Sequence, residues 1–469
     1  MSNISLTKNA LSALREDLAE YQTSDRLISS ASSIATELAT HGISFEGNEL
    51  AVSLNPTLVT SAETERAATA GAVLRRVLNR SINQFITEHV TGQLDGPMHR
   101  FFTPYFTWWN LIASERRTHD AIQLMRYDAV RADSGGWSFI ETNTACPGGT
   151  IHCSRVRTAW LNSDVAGAVE NQSISEFAVD DPTGFVTFMA RRAEEIDPTA
   201  PNIAILNYQG DYTNELESLR RCHAALRASG QLSAGELLLG DITELRVVGE
   251  EIHLRGVKLS LIHNKLDQLQ INPEDAAVAN WVAAARSTSV EFLNSLGSLY
   301  LTEAKRSLVL LSDPNWNRHL RLTDDEAAVI SEYVPYTRLL QDLVQDGDGS
   351  SSLPGRARQS FVLKADSLTR GSGIFIGGRS TVGEWARAIE TTRQHHGVAQ
   401  LMCDLPSRPS KHVTADRQII DVVEYFGVDV FFFGEDFAGM VGRSHTEQIF
   451  NVGNGGRETP VLVIGGDCA

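Results

Sequence analysis

The stretch WSFIETNTACPGG, Trp137 to Gly149, reads as a buried strand that ends in a polar tip and a turn. Trp137, Phe139 and Ile140 call for an apolar surround, and Glu141 and Asn143 follow where the strand should end. Side chains two apart on a strand point the same way, so a carboxylate and a carboxamide share one face beside Pro147-Gly148-Gly149. Burying a carboxylate alone is costly, so a partner must come from elsewhere in the chain or from a bound cation.

The segment just upstream offers both. IQLMRYDAV is a second strand and RADSGG a hairpin connection, which predicts an antiparallel pair with GWSFIETN. Arg126 and Asp128 then alternate on the same face as Glu141 and Asn143. Three oxygen-bearing side chains, two of them anionic, suit a hard cation such as Mg²⁺, which takes carboxylates together with substrate phosphates. The same residues also read as an ion-paired face, with Arg126 against Glu141 or Asp128.

Farther out, FVLKADSLTRGSGIFIG is a strand ending in Lys364, a loop holding Gly371 and Gly373, and another strand. Such a loop lets backbone N–H groups approach a phosphate. It is neither a P-loop, since the GxxxxGK[ST] order is absent, nor a Rossmann fingerprint. TEAKRSLVLLSDP reads as a helix with Lys305 near its start, where a solvated lysine is the plain reading. GVAQLMC is an apolar strand ending in Gln400. FAGMVGRSHTEQIFNVGNGGRETPVLV sets Arg443 at a strand end before a glycine-rich loop, an arrangement suited to an anion that develops charge. Cys146, His152 and Cys153 match no common zinc spacing, and nothing marks an orienting group for a thiol nucleophile.

With 469 residues, about two to four packed units are expected. Residues 1–195 form a helical N-terminal region plus the RYD/ETN strands, residues 196–300 an α/β unit, and residues 301–469 strands, helices and glycine loops. In the middle section PEDAAVANWVAAARSTSVEFLNSL reads as one helix, and in the last DDEAAVISEYVPYTRLL reads as another. GVAQLMCDLP, QIIDVVEYFGVDVFFFGEDFAGMVGRS and TPVLVIGG read as strands of one antiparallel sheet. A net charge of −17 argues against nucleic acid or an anionic membrane as partner. No apolar run spans a bilayer, and five cysteines without a CxxC pair point to a reduced, cytoplasmic protein.

In this order, the R-x-D … E-x-N strands, the VLK … RGSG loop and the closing AGMVGRS … NVGNGG … PVLV resemble the circularly permuted ATP-grasp ligases: glutathione synthetases, glutathionylspermidine synthetases and bacterial peptide ligases. The resemblance covers roughly residues 120–465. It implies a mixed α/β (α+β) fold, an ATP-grasp with a helical N-terminal region and an inserted α/β substrate-binding domain. It implies Asp128, Glu141 and Asn143 as Mg²⁺ ligands, Lys305 and Lys364 on the phosphates of ATP, and Gly371 and Gly373 in the loop over them. Gln400 with the backbone of Leu401 and Met402 would border adenine. Arg126 and Arg443 would face the acyl phosphate and the tetrahedral intermediate. The implied activity is ATP-dependent joining of a small-molecule carboxylate, an amino acid or small peptide, to an amine through an acyl phosphate, in specialised peptide metabolism, with a homodimer as the implied assembly. An ATP-binding regulator without turnover and a small-molecule kinase are the alternatives. Two departures stand out. Ala365 follows Lys364 where many relatives have proline, and Leu368 and Arg370 stand where glutathione synthetases carry a metal-binding glutamate.

Overall fold

The computed structural model describes residues 14–45, 48–131, 136–170, 172, 174–175, 181–210, 214–232, 235–345, 358–366, 373–414, 416–449 and 452–464. Helices and strands mix throughout, so the α/β class expected from the sequence holds. Six strands position the candidate site: β1 (Leu124–Arg131), β2 (Trp137–Asn143), β3 (Phe361–Lys364), β4 (Val398–Leu401), β5 (Ile419–Phe433) and β6 (Asp436–His445).

The central antiparallel sheet runs Arg457–Thr459, β6, β5, β1, β2, with Ser407–Val413 paired to the first half of β5. Its apolar face packs under the Ser61–Val90 helix. That helix starts at a capping box: Thr60 accepts from the Glu63 N–H, and Glu63 accepts from the Thr60 N–H. Leu74, Val77, Leu78, Ile82 and Phe85 recur at helical spacing and are fully buried. Gly71 lets the helix approach the sheet, because a Cβ there would lie 2.4 Å from the Phe432 ring. Tyr127 closes the seam by donating its hydroxyl to the Gly71 carbonyl at 2.9 Å.

A second antiparallel sheet runs Thr337–Leu339, β4, β3, Ile374–Ile376, backed by the Val382–Gln394 helix. Between the two sheets in sequence lies a four-stranded parallel sheet, ordered Glu291–Phe292, Leu261–Asn264, Ile203–Asn207, Leu237–Asp241. Its central strand, IAILN, is buried on every residue, as a parallel strand covered on both faces should be.

Four segments differ from their sequence reading. The helix expected over 273–296 is short, Ala279–Arg286, and gives way to the Glu291–Phe292 strand. Val290, Glu291 and Phe292 are buried against the parallel sheet, and that packing overrides local helix preference. The helix expected over 324–340 stops at Tyr333, because Pro335 cannot continue it, and Thr337–Leu339 joins β4 instead. VLVI leaves the expected antiparallel sheet. It pairs parallel with Thr57–Thr60 and antiparallel with Ile174–Ser175, and GVAQL lies in the β3/β4 sheet.

The hairpin tip at 132–135, the glycine-loop positions 367–372 with Gly371, and most of the QDGDGSSSLPGRAR loop lie outside the described residues. Among the described residues no helix is long and apolar enough to cross a membrane.

Candidate active site

β1 and β2 form the antiparallel pair expected from the sequence, and the register sets Arg126 opposite Asn143 and Asp128 opposite Glu141. The ladder slips directly after Asp128, so Ile140 has no cross-strand partner. Its carbonyl, freed from the ladder, accepts from Lys364 Nζ at 2.5 Å. A bulge here therefore fastens the tip of the β3 strand to the ETN strand. Lys364 is 4% exposed. Burial lowers its pKa, against Glu141, which raises it.

Lys305 is placed differently from its reading as a solvated lysine at a helix start. It sits in the turn before the Ser307–Ser312 helix and is buried, with its Nζ 3.7 Å from Glu141 Oε1. Two lysines from separate elements thus flank the acidic strand tip. Gly373 has φ +75°, a conformation that suits glycine, and its carbonyl accepts from the Ala365 N–H at the root of the loop. Gln400 shares the face of the β3/β4 sheet from which Lys364 projects, since Val362 pairs with Gln400. Its amide donates to Thr337 Oγ1 at 3.1 Å. The N–H groups of Leu401 and Met402 donate to the Tyr336 and Ser360 carbonyls.

The other half of the site comes from β5 and β6. Asp429 lies directly across from Asp128. Arg443 lies across from Gly427, which leaves its guanidinium room to reach diagonally to Asp429. Arg443 Nη2 is 2.5 Å from Asp128 Oδ2 and also bonds Asp429 Oδ1. Arg126 Nε is 3.1 Å from Asp128 Oδ1 and 3.5 Å from Asp429 Oδ2. Burial disfavours every charge in this group, but the two arginines hold the Asp128 carboxyl well below the usual range. Burial pushes the Asp429 carboxyl up, and the neighbouring Asp128 charge adds to that rise. The two aspartates overcome burial and stabilise the Arg443 cation.

Sequence reasoning missed Asp429 and Glu303. Asp429 carried a signal: it is the lone carboxylate inside the apolar run VDVFFF. Glu303 carried none. It reaches back to the turn after ETN and accepts the N–H groups of Thr144 and Ala145. Burial raises its carboxyl to about 7, against those two backbone bonds.

Among the described residues no cluster of three or more His, Cys, Asp or Glu side chains is arranged to hold a metal ion. Glu141 and the carbonyl oxygen of Asn143 suit a hard cation. Asp128 suits it less in this arrangement, since Oδ1 accepts from Arg126 and from Asn143 Nδ2 at 2.8 Å while Oδ2 faces Arg443. The ion-paired reading of Arg126 and Asp128 is therefore realised too, in a partly buried setting. Cys153 donates to the Gly149 carbonyl at 2.6 Å and His152 lies 3.3 Å from Glu458, a structural arrangement with no metal spacing.

No family model matches the chain, and no curated protein does. The fold has a solved counterpart. It is similar to the glutathione synthetase-like effector GSS30 from Globodera pallida in its apo form, with a TM-score of 0.63 at 13% identity. The match covers 94% of this chain and 98% of that one, so the likeness is one of whole architecture. A glutathione synthetase-like fold is what the two chains share.

Proposed function

We propose that the protein is an ATP-dependent carboxylate–amine ligase of circularly permuted ATP-grasp type. The observation that carries this reading is the convergence on one face of Arg126, Asp128, Glu141, Asn143 and Arg443, with Lys305 and Lys364 brought to the same strand tip from two other elements.

In this reading Glu141 and Asn143 would hold Mg²⁺, with Asp128 beside them, and the ion would supply charge neutralisation for phosphoryl oxygens. Lys364 and Lys305 grip the phosphates, Gly371 and Gly373 close over them, and Gln400, Leu401 and Met402 border the adenine. The substrate carboxylate attacks the γ-phosphorus, which gives ADP and an acyl phosphate. The amine then attacks the acyl carbon and phosphate leaves. Arg443 and Arg126, fixed before substrate arrives, stabilise the oxyanion of that second step.

Incubation with ATP, Mg²⁺ and a panel of amino acids, short peptides and amines should release ADP and phosphate only with a productive pair. Release of AMP and pyrophosphate would replace this mechanism with adenylation. The engagement of both Asp128 oxygens by arginine favours one second reading, an ATP-binding protein without turnover. Tight ATP binding with no stimulation across the panel would establish it.

A further inference from the structure

Like charges set directly opposite on neighbouring strands destabilise a sheet, yet Asp429 and Asp128 face each other in register. Asp429 is buried, at 3% exposure, and Asp128 is partly buried, with 13% of its side chain exposed. Two cations compensate them, Arg126 and Arg443, so the group is charge-balanced. The pattern within it is uneven. Both carboxylates converge on a single nitrogen of Arg443, Nη2. The Nε of the same guanidinium is buried and, among the described residues, has no hydrogen-bond partner, and Arg443 as a whole is only 8% exposed. An unpartnered buried donor is costly and calls for an acceptor. The fork is thus tied down at one end and unpartnered at another.

We propose that Asp429 is a positioning residue which, with Asp128, clamps the Nη2 end of Arg443 so that its Nε edge stays presented to an anionic group. Resting on the ligase reading, that group is the carboxylate substrate or the acyl phosphate made from it. A guanidinium held by two carboxylates cannot swing away when its ligand is absent, which is the pre-organisation that charge stabilisation requires. The clamp also gives Asp128 a different duty from the one its motif suggested. Its oxygens serve arginines, and Glu141 and Asn143 are left to face a divalent ion.

The test uses the full-length protein and phenylglyoxal, an arginine-selective reagent, with labelling read peptide by peptide in a mass spectrometer. In an Asp429→Asn variant that retains a cooperative thermal transition, labelling of Arg443 should rise about tenfold, the size of one weakened charge-assisted hydrogen bond. With a productive substrate pair in hand, the same variant should lower kcat and leave the KM for ATP unchanged. Arg443 labelling within about twofold of wild type would overturn the clamp. If Asp429→Asn does not fold, the double variant Asp429→Asn/Arg443→Gln decides. Recovered folding supports the coupling, and continued failure overturns it. The labelling needs no substrate, so a wild type that never releases ADP would sink the ligase reading without touching this one.

Discussion

Glu141 faces Lys305 at 3.7 Å from a strand tip where 23% of its own side chain is exposed, so truncating it opens no cavity in the core. Glu141→Ala should leave the unfolding transition intact, abolish Mg²⁺-dependent turnover and lower the rate at least about a hundredfold. Unfolding of this variant, together with Mg²⁺-independent activity of the wild type, would make Glu141 a structural ion-pair partner instead. Lys364→Ala should raise the Kd for ATP about tenfold or more, and an unchanged Kd would remove Lys364 from the site. Glu115, away from this site, makes a residue-scale prediction about pH. Burial raises its carboxyl from 4.5 to about 7, although the Leu296 N–H bonds both of its oxygens. The folded state therefore holds the proton more tightly than the unfolded state. Stability should fall as pH rises between those two values, and the loss should be fully present above them, by at most about 3 kcal/mol. Glu115→Gln should flatten this dependence in urea unfolding measured at pH values on either side of that window. A dependence identical to wild type would assign it to other groups.

At the scale of elements, the position of Lys364 rests on its strand neighbours. Gly397 precedes β4, and a Cβ there would lie 2.2 Å from the Lys364 carbonyl oxygen. Gly397→Ala should displace β3, cost about 1–3 kcal/mol and weaken ATP binding, although the residue touches no proposed ligand. Unchanged ATP affinity in a folded Gly397→Ala protein would show that the lysine is positioned some other way. Thr60→Ala makes a contrast. It breaks the capping box of the long Ser61–Val90 helix and should cost about 1 kcal/mol in denaturant unfolding with no change in nucleotide affinity.

Across the whole molecule, the β3/β4 sheet is tied to the rest of the chain by Arg306. This buried side chain pairs with Asp366 at 3.0 Å, donates to the Phe101 carbonyl at 2.6 Å and donates to the His396 carbonyl at 2.9 Å. Tyr105 donates to the same aspartate. One guanidinium therefore joins the N-terminal region, the segment after Lys305 and the root of the glycine loop. Arg306→Ala leaves a buried carboxylate uncompensated and should cost about 3–5 kcal/mol. Adding Asp366→Asn should recover part of that loss. If the second substitution adds to the damage, the pair is not the joint that holds these parts together.

The RYD and ETN strands were legible because two-residue alternation fixes which side chains share a face, and a turn between them fixes which strands pair. The sequence alone therefore determined the α/β class, the antiparallel β1/β2 pairing and the shared face of Arg126, Asp128, Glu141 and Asn143. Local pattern could not show that Lys305 is buried, because its spacing is that of any helix start and only the packing against Glu141 removes it from water. It could not show that VLVI would pair with Thr57–Thr60, some four hundred residues away in the chain. It could not place Asp429 across from Asp128 either, since strand order within a sheet is set by how whole apolar faces pack. Composition and periodicity are local properties, whereas the partner of a buried charge is decided by contacts between distant segments, and those exist only once the chain has folded.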